Sequence, residues 1–285
     1  MSKAFVHAII ALGFSKPKTL VLKGGMELLT KALEAELRSE IKLNCLVKSL
    51  HATEQGVSIL TDGQTIEADH VLLATPAPVA KKLYGQADDI EQKLMSTGYS
   101  SSILLSVVIK DMNWKETPSL KNVYGLLVPR TERESIASIV IESSKHSEWE
   151  GDGEILNVML SGEKSVEMME HSDTQILACV IPELAKYFPR LPGSSYTTHI
   201  HRWKTAMPTS PVGRSEWVEQ YRKRKGTRRI VLAGDYMGMP YTDSAAETGV
   251  WSSLHVLNSV LDPDLGSNSG VFCSSNLATI DRGRI

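Results

Sequence analysis

The feature that most constrains this fold is the stretch RRIVLAGDYMGMPYTDSAAETG at residues 228–249. Its short apolar run predicts a buried strand, and Gly234 and Asp235 follow at the point where that strand ends. The residues from Thr242 onward predict the start of a helix. A helix N-terminus offers free N–H donors and about half a positive charge, so this stretch brings a strand end, a carboxylate and an electropositive helix end together.

A second segment of similar type lies near the start of the chain. TLVLKGGMELLTKALEAELRSE begins with a β-type run, turns at Gly24 and Gly25, and continues with apolar residues at 28, 29, 32, 33 and 37 on one helical face. The two glycines have two interpretations that the residues leave open. They form a tight turn, or they let a ligand approach the backbone at a helix N-terminus.

The next segment predicts a small antiparallel sheet. Gln55-Gly56 and Asp62-Gly63 are hairpin-type turns, so residues 43–68 are predicted to form a three-stranded meander. The continuous apolar run HVLLATP then predicts a strand covered on both faces. Thr75-Pro76 ends that strand, because proline cannot extend a ladder of hydrogen bonds.

From about residue 95 the chain becomes rich in β-type runs. SSILLSVVIKD, NVYGLLVPR, SIASIVIESS and EILNVMLSG predict four strands of one antiparallel or mixed sheet. SDTQILACVIPELAKYF predicts an amphipathic helix with Ser172 or Asp173 as N-cap, and TTHIHRW predicts another strand. A β-rich module is therefore inserted between two pieces of an α/β module.

Composition excludes several classes of protein. The 31 basic and 33 acidic residues nearly cancel, so no overall cationic field attracts nucleic acid. The three cysteines show no CxxC spacing, which argues against a disulfide framework or a cysteine zinc site and favours a reducing cytoplasm. The apolar run AFVHAIIALGF is too short to span a bilayer, and we expect it to be a helix packed on the body.

Taken together, these segments resemble the C-terminal portion of the flavin-containing amine oxidase superfamily, which includes protoporphyrinogen oxidases. The resemblance runs over roughly residues 18–260 and rests on LKGGMELLTKAL, ADHVLLATPAPVAKKL and RRIVLAGDYMG…TDSAAETG in that order. HRWKTAMPTSPVG also resembles the segment that precedes the last flavin motif in protoporphyrinogen-oxidase-like members. The resemblance implies FAD as the cofactor and an oxidoreductase activity.

The resemblance implies that the stretch at residues 228–249 binds the flavin. It implies that Gly234 and Asp235 lie near the ribityl chain and pyrophosphate. It also implies that the backbone N–H groups of Ser244, Ala245 and Ala246 point at the pyrimidine edge of the ring. A helix N-terminus there stabilises the negative charge of a reduced flavin.

Earlier segments complete the implied site. The resemblance puts Gly24, Gly25 and Met26 beside the cofactor, Val47 against the adenine through its backbone, and Thr75 near the adenosine side. Valine and threonine are also ordinary strand residues, so a purely structural role for Val47 and Thr75 stays open.

The family's usual opening unit is missing from this sequence. No GxGxxG follows a strand and opens a helix, and GDGEIL at 151–156 lacks the third glycine. The chain therefore matches a truncated product, a fragment, or one half of an enzyme whose partner chain supplies the N-terminal unit. Binding of FAD by this chain alone is left open.

We accordingly predict an α/β plus α+β fold in which a partial, Rossmann-like FAD-binding domain carries an inserted β-rich substrate domain. The predicted boundaries are an N-terminal helix at 1–17, the FAD-binding domain at 18–91 and 226–262, the substrate-binding domain at 92–225, and a flexible tail at 263–285.

Three further groups of residues were weighed. His199 and His201 share a strand face, but without a third ligand they predict no metal site. YRKRKGTRR at 221–229 holds six basic residues, and predicts a solvated face or, as the minor alternative, weak contact with anionic lipid at a membrane surface. Trp203 and Tyr241 are candidates to line a substrate cavity, and no residue qualifies as a catalytic base.

The function predicted from these residues is that of an FAD-dependent oxidoreductase. Hydride would pass to the flavin from a C–N or C–C unit of a small apolar or amine substrate. The alternative is a non-catalytic remnant that acts as a binding or scaffold protein.

Overall fold

The structure is a computed structural model that describes residues 22–37, 41–110, 123–145, 153–224 and 228–261. The predicted N-terminal helix at 1–17 and the predicted tail at 263–285 lie outside these residues. The chain divides into two compact units. Within the described residues, the first unit holds residues 42–98 and 208–261, and the second holds residues up to 41 and residues 99–207.

The described helices and strands are numbered in chain order. The helices are α1 Glu27–Glu36, α2 Ala77–Leu83, α3 Asp89–Met95, α4 Gly162–Glu167, α5 Asp173–Tyr187, α6 Arg214–Arg222 and α7 Thr242–Leu261. The strands are β1 Val47–Ala52, β2 Val57–Thr61, β3 Thr65–Ala68, β4 Val71–Leu73, β5 Ser102–Ile109, β6 Gly125–Leu127, β7 Ile136–Ile141, β8 Glu154–Leu160, β9 Tyr196–Trp203 and β10 Ile230–Leu232.

The first unit contains the predicted meander. Strands β1, β2 and β3 form an antiparallel sheet in that order, which confirms the prediction for residues 43–68. Both predicted turns close with backbone hydrogen bonds: the Thr53 N–H donates to Gly56 O at 2.8 Å, and the Thr61 N–H donates to Gln64 O at 2.9 Å. The local turn residues therefore set this sheet.

A short parallel pair forms the second sheet of the first unit. Strand β10 runs parallel to β4, with Ile230 opposite Val71 and Leu232 opposite Leu73. Val231 and Leu232 are fully buried, as expected for a parallel strand, whereas Leu72 is 42% exposed, so β4 is not covered on both faces as predicted. Because the strands are parallel, the residues that follow them leave from the same edge.

The second unit is built on a five-stranded antiparallel sheet. Its strand order is β6-β7-β8-β5-β9, and it contains all four predicted strands together with TTHIHRW. Alternate residues of β5 are buried in a core cluster that also contains residues of α5, namely Ile103, Leu105, Val107 and Ile109. Each such side chain contributes about 1.5–3 kcal/mol on burial. The strand predicted from SSILLSVVIKD is thus present, and its burial alternates with a period of two.

Helix α5 of the second unit confirms the predicted cap. The Ser172 side chain accepts from the Gln175 N–H, and the Gln175 side chain accepts in return from the Ser172 N–H. This reciprocal pair satisfies two N–H donors that the helix itself leaves without acceptors. Of the two N-cap candidates, Ser172 is the one used.

Helix α1 confirms the prediction of a helix after Gly24-Gly25, and it groups with the second unit. None of its residues is buried, and Leu33 is 59% exposed. The compact units thus divide the chain differently from the predicted domains, which start the FAD-binding part at residue 18. The predicted domain boundaries remain a prediction.

Candidate functional site

The segment after β10 contains a turn that requires glycine. Ala233 continues the parallel pairing, since its N–H donates to Leu73 O at 3.1 Å. Gly234 then adopts φ 126° and ψ −179°, a backbone conformation found almost solely in glycine. A Cβ at this position would lie 3.9 Å from Thr75 O, so the residues that end the two parallel strands are neighbours. The structure brings Thr75 and Gly234 together, as parallel pairing predicts.

Helix α7 is fixed to this turn through a buried threonine. The Gly234 N–H donates to Thr248 Oγ1 at 3.0 Å, and that hydroxyl lies within donating distance of Gly234 O and Ala245 O. Thr248 is fully buried. One turn later, the Ser252 hydroxyl lies 3.1 Å from Leu232 O and 2.7 Å from Thr248 O. The helix is thereby held close to the end of β10.

The chain between Gly234 and α7 forms a supported turn. Asp235–Met237 make one turn of 3-10 helix, and the Met239 N–H donates to Ser244 Oγ at 2.8 Å. Arg214 donates from two nitrogens to the carbonyls of Tyr236 and Gly238. A Cβ at Gly238 would lie 2.1 Å from Ser244 Oγ, so a side chain there would displace the hydroxyl that accepts from the Met239 N–H.

The start of α7 bears on the predicted flavin contacts. The helix begins at Thr242, and the Ala245 N–H donates to Tyr241 O at 3.0 Å. The Ala245 amide therefore donates to a backbone carbonyl of its own chain, and the Ser244 hydroxyl supports Met239. The roles of the Ser244, Ala245 and Ala246 amides towards the flavin remain predictions.

Two observations test whether this place fits a flavin. The Thr75 hydroxyl is buried and has no hydrogen-bond partner among the described residues. A buried hydroxyl without a partner is costly, so a ligand or water that completes it is favourable. Beside it stand a glycine-only turn, which allows close backbone approach, and a helix N-terminus, which favours negative charge. These residues fit a phosphate-containing ring cofactor.

The other predicted flavin residues lie away from this turn in sequence. Val47 begins β1, is half-buried and pairs with Thr61. Gly24 and Gly25 have φ 98° and 94° and precede α1, which belongs to the other compact unit. Met26 is 60% exposed. Their cofactor roles remain predictions.

The two aromatic candidates are both partly exposed. Tyr241 immediately precedes α7 and is 46% exposed. Trp203 is the last residue of β9, in the second unit, and its ring centroid lies 4.3 Å from that of His201. Among the described residues, no group of three His, Cys, Asp or Glu side chains is placed to hold a metal.

The basic run at 221–229 is engaged with its own unit. Arg222 forms a bidentate pair with Glu247 at 2.8 and 2.7 Å. Arg224 pairs with Asp88, and Arg229 donates to Glu54 O at 2.6 Å. Whether this run is otherwise a solvated face or contacts anionic lipid or an acidic partner remains a prediction. Within the described ranges, no helix is long and apolar enough to cross a membrane.

Sequence reasoning missed the residues that hold the turn. Arg214, Thr248 and Ser252 all bond to backbone atoms 14 to 24 residues away in sequence. The spacing of residues in the sequence does not predict such contacts. The local signal is Gly213, which directly precedes Arg214 and whose φ of 92° indicates a turn that favours glycine at this point.

Comparisons with known proteins agree with this geometry. The family model described as flavin containing amine oxidoreductase matches residues 1–256. Protoporphyrinogen oxidase of Macaca fascicularis is 26% identical over 257 residues, which is 83% of this chain and 51% of that protein. The chain spans about half the length of the curated relatives that it matches over most of its length.

Solved structures show the same fold. Cyclohexylamine oxidase from Brevibacterium oxydans IH-35A has a TM-score of 0.66 at 13% identity, over 82% of this chain and 52% of that one. Putrescine oxidase bound to putrescine has a TM-score of 0.64 at 19% identity, over 82% of this chain and 53% of that one. The matches support FAD as the cofactor and an oxidoreductase class. The chain belongs to the flavin containing amine oxidoreductase family.

Proposed function

We propose that this chain is the flavin-holding and substrate-binding part of an FAD-dependent oxidoreductase of the amine oxidase or protoporphyrinogen-oxidase-like type. One observation carries the proposal: the glycine-only turn at Gly234 sits between the unpartnered Thr75 hydroxyl and the segment that leads into α7. The proposed cofactor contacts are the Gly234 backbone, Thr75, Asp235 and the first-turn amides of α7.

The chemistry is divided between cofactor and protein. When bound, FAD supplies the acceptor for a hydride taken from a C–N or C–C unit. The residues of this chain hold and orient it. The N-terminus of α7 offers N–H donors and about half a positive charge, which lowers the free energy of negative charge developing next to it. Water is kept from the turn on one side by the buried residues Tyr236 and Met237.

The proposed substrate is a small apolar or amine compound. The similar proteins include a protoporphyrinogen oxidase, a putrescine oxidase bound to putrescine and a cyclohexylamine oxidase. Tyr241 in the first unit and Trp203 in the second each remain a candidate for substrate contact, because partly exposed aromatic side chains suit an apolar ligand with few polar groups. We place the protein in the reducing cytoplasm, in keeping with the free thiols of Cys45 and Cys179.

We further propose that a polypeptide carrying the GxGxxG unit completes the first unit beside β4. The far edge of β10 is blocked, since the Leu232 N–H donates to the Tyr221 hydroxyl at 2.8 Å and Ser252 bonds to Leu232 O. In the part of the chain that the structure describes, β4 pairs with no strand other than β10. A parallel sheet of two strands is unusual, so an added parallel strand at β4 is favoured.

The test is flavin uptake by the purified chain. FAD is titrated into the chain alone and into the chain mixed with a polypeptide that carries the strand, GxGxxG turn and helix, and the visible spectrum and flavin fluorescence are recorded. We expect near-equal stoichiometry of bound FAD in the mixture. No uptake in either sample refutes the proposed function and favours a non-catalytic scaffold.

A matched pair of glycine variants locates the site. Gly234→Ala forces a glycine-only conformation, at a cost of about 1–3 kcal/mol, and we expect FAD binding at least tenfold weaker. Gly249→Ala, within α7, is the control, because a Cβ added at Gly249 would have no neighbouring atom of the described residues within 4 Å beyond the backbone of its own helix. Equal FAD affinity in the two variants would place the flavin elsewhere.

A further inference from the structure

Arg214 is a buried cation whose position is not explained by its own helix. Its side chain belongs to the first residue of α6 and the residue is only 6% exposed. A cation at a helix N-terminus opposes the macrodipole, and burial adds a desolvation cost. Another interaction must therefore offset this placement.

The compensating contacts lie in the flavin turn. Arg214 Nη1 donates to Tyr236 O at 3.1 Å, and Nη2 donates to Gly238 O at 2.6 Å. A guanidinium is planar and presents its donors in a fixed fork, so two acceptors that are two residues apart are held at a defined separation. The side chain therefore imposes a shape on the centre of the turn.

Two other side chains hold the ends of this turn. Thr248 bonds to Gly234, and Ser244 accepts from the Met239 N–H. Inside the turn, the Gly238 N–H reaches Asp235 O only at the long distance of 3.4 Å. Between these ends, Arg214 supports the carbonyls of Tyr236 and Gly238.

We propose that Arg214 is a positioning residue for FAD, which fixes the turn between Gly234 and Gly238 before the cofactor arrives. This inference rests on the proposed function. A turn that is already ordered loses less conformational entropy on binding, so the clamp raises the affinity for FAD without touching it. It also sets the distance between the Gly234 backbone and the start of α7.

The experiment compares Arg214→Lys and Arg214→Met with the same two substitutions at Arg222. Arg222 lies on the same helix and forms a bidentate pair with Glu247, but it bonds to no residue of the turn. Hydrogen exchange of residues 234–241 is measured without FAD. The FAD dissociation constant and the resolution of the bound flavin absorption bands are measured under the conditions in which the native chain takes up FAD.

We expect faster exchange in the turn and about tenfold weaker FAD binding for both Arg214 variants, with broader flavin bands. The Arg222 variants should match the native chain in exchange of the turn and in flavin bands. Circular dichroism checks folding, and Arg214→Lys keeps the buried charge if Arg214→Met does not fold. Lysine cannot reproduce the fork, so it should rescue folding without restoring affinity.

The outcomes separate the two proposals. If the native chain binds FAD and both Arg214 variants bind it equally well with unchanged exchange, the inference about Arg214 is overturned and the proposed function stands. If the native chain takes up no FAD even with the completing polypeptide, the proposed function and the flavin role of Arg214 are overturned together.

Discussion

Replacing Tyr221 by phenylalanine should destabilise the first unit through one backbone amide. Tyr221 is fully buried on α6, and its hydroxyl accepts a hydrogen bond from the Leu232 N–H at 2.8 Å. Burial raises the pKa of Tyr221 to about 12, so the hydroxyl stays protonated in the neutral range. Removing the oxygen leaves the buried N–H of Leu232, the last residue of β10, without an acceptor.

The size of the destabilisation follows from the hydrogen bond that is lost and the ring packing that remains. The ring remains packed, and the Arg228 guanidinium still lies 4.1 Å from the ring centroid. The cost is therefore that of the orphaned amide, about 1–3 kcal/mol. For a chain of this size, each kcal/mol corresponds to roughly 2–4 °C in melting temperature, so a loss of 2 kcal/mol lowers it by roughly 4–8 °C.

Two measurements check this expectation. Thermal unfolding gives the shift in melting temperature, and hydrogen exchange resolved at the Leu232 amide shows whether the loss is located there. Tyr241→Phe is the control, because Tyr241 is 46% exposed and should change stability by no more than about 0.5 kcal/mol. Unchanged exchange at Leu232 in Tyr221→Phe would refute the view that this hydroxyl seals the edge of β10.

Three further predictions concern stability. Burial, and to a lesser degree nearby arginines, lowers the pKa of His70 and of His255 below 6.5. The native state therefore loses stability as the pH falls from 6.5, because the unfolded state binds protons more readily. His255→Gln should reduce this loss of unfolding free energy, measured by urea unfolding between pH 7.5 and 5.5. Ser172→Ala should cost about 1 kcal/mol by thermal melting, because α5 loses its N-cap. Glu183→Gln should cost about 1–3 kcal/mol, because the buried carboxylate accepts from the backbone of residues 134–136, whereas a similar change at exposed Glu216 should not.

Short-range patterns predicted much of this fold. The hairpin turns at Gly56 and Gly63, the β-type run of β5 and the cap at Ser172 are all set by residues within a few positions of one another. The strand end at Gly234 was found for the same reason, since a glycine followed by an acidic residue and a helix start is a local signal. Such local signals predict structure reliably because they do not depend on packing against residues distant in sequence.

The rest required distant contacts. The apolar face of α1 was predicted from the spacing of its residues, yet Leu28 and Leu33 are exposed. An apolar stripe indicates that packing against a partner is favourable, but it does not identify that partner. The hydrogen bond from the Ala245 N–H to Tyr241 O could not be assigned from the sequence, since helix boundaries shift by a residue or two with the local cap. Arg214 carries no sequence signal for the carbonyls that it binds.

The hydroxyl contacts also explain how so short a parallel pair is held. Strands β4 and β10 have three residues each, too few to be stable through ladder hydrogen bonds alone. Side chains replace the missing neighbour on one side: Tyr221 and Ser252 satisfy Leu232, and Thr248 satisfies Gly234. The same contacts leave no room for a strand beside Leu232. Completion of this sheet can therefore occur only next to β4, where Leu72 is exposed and where Thr75 leads into the candidate flavin site.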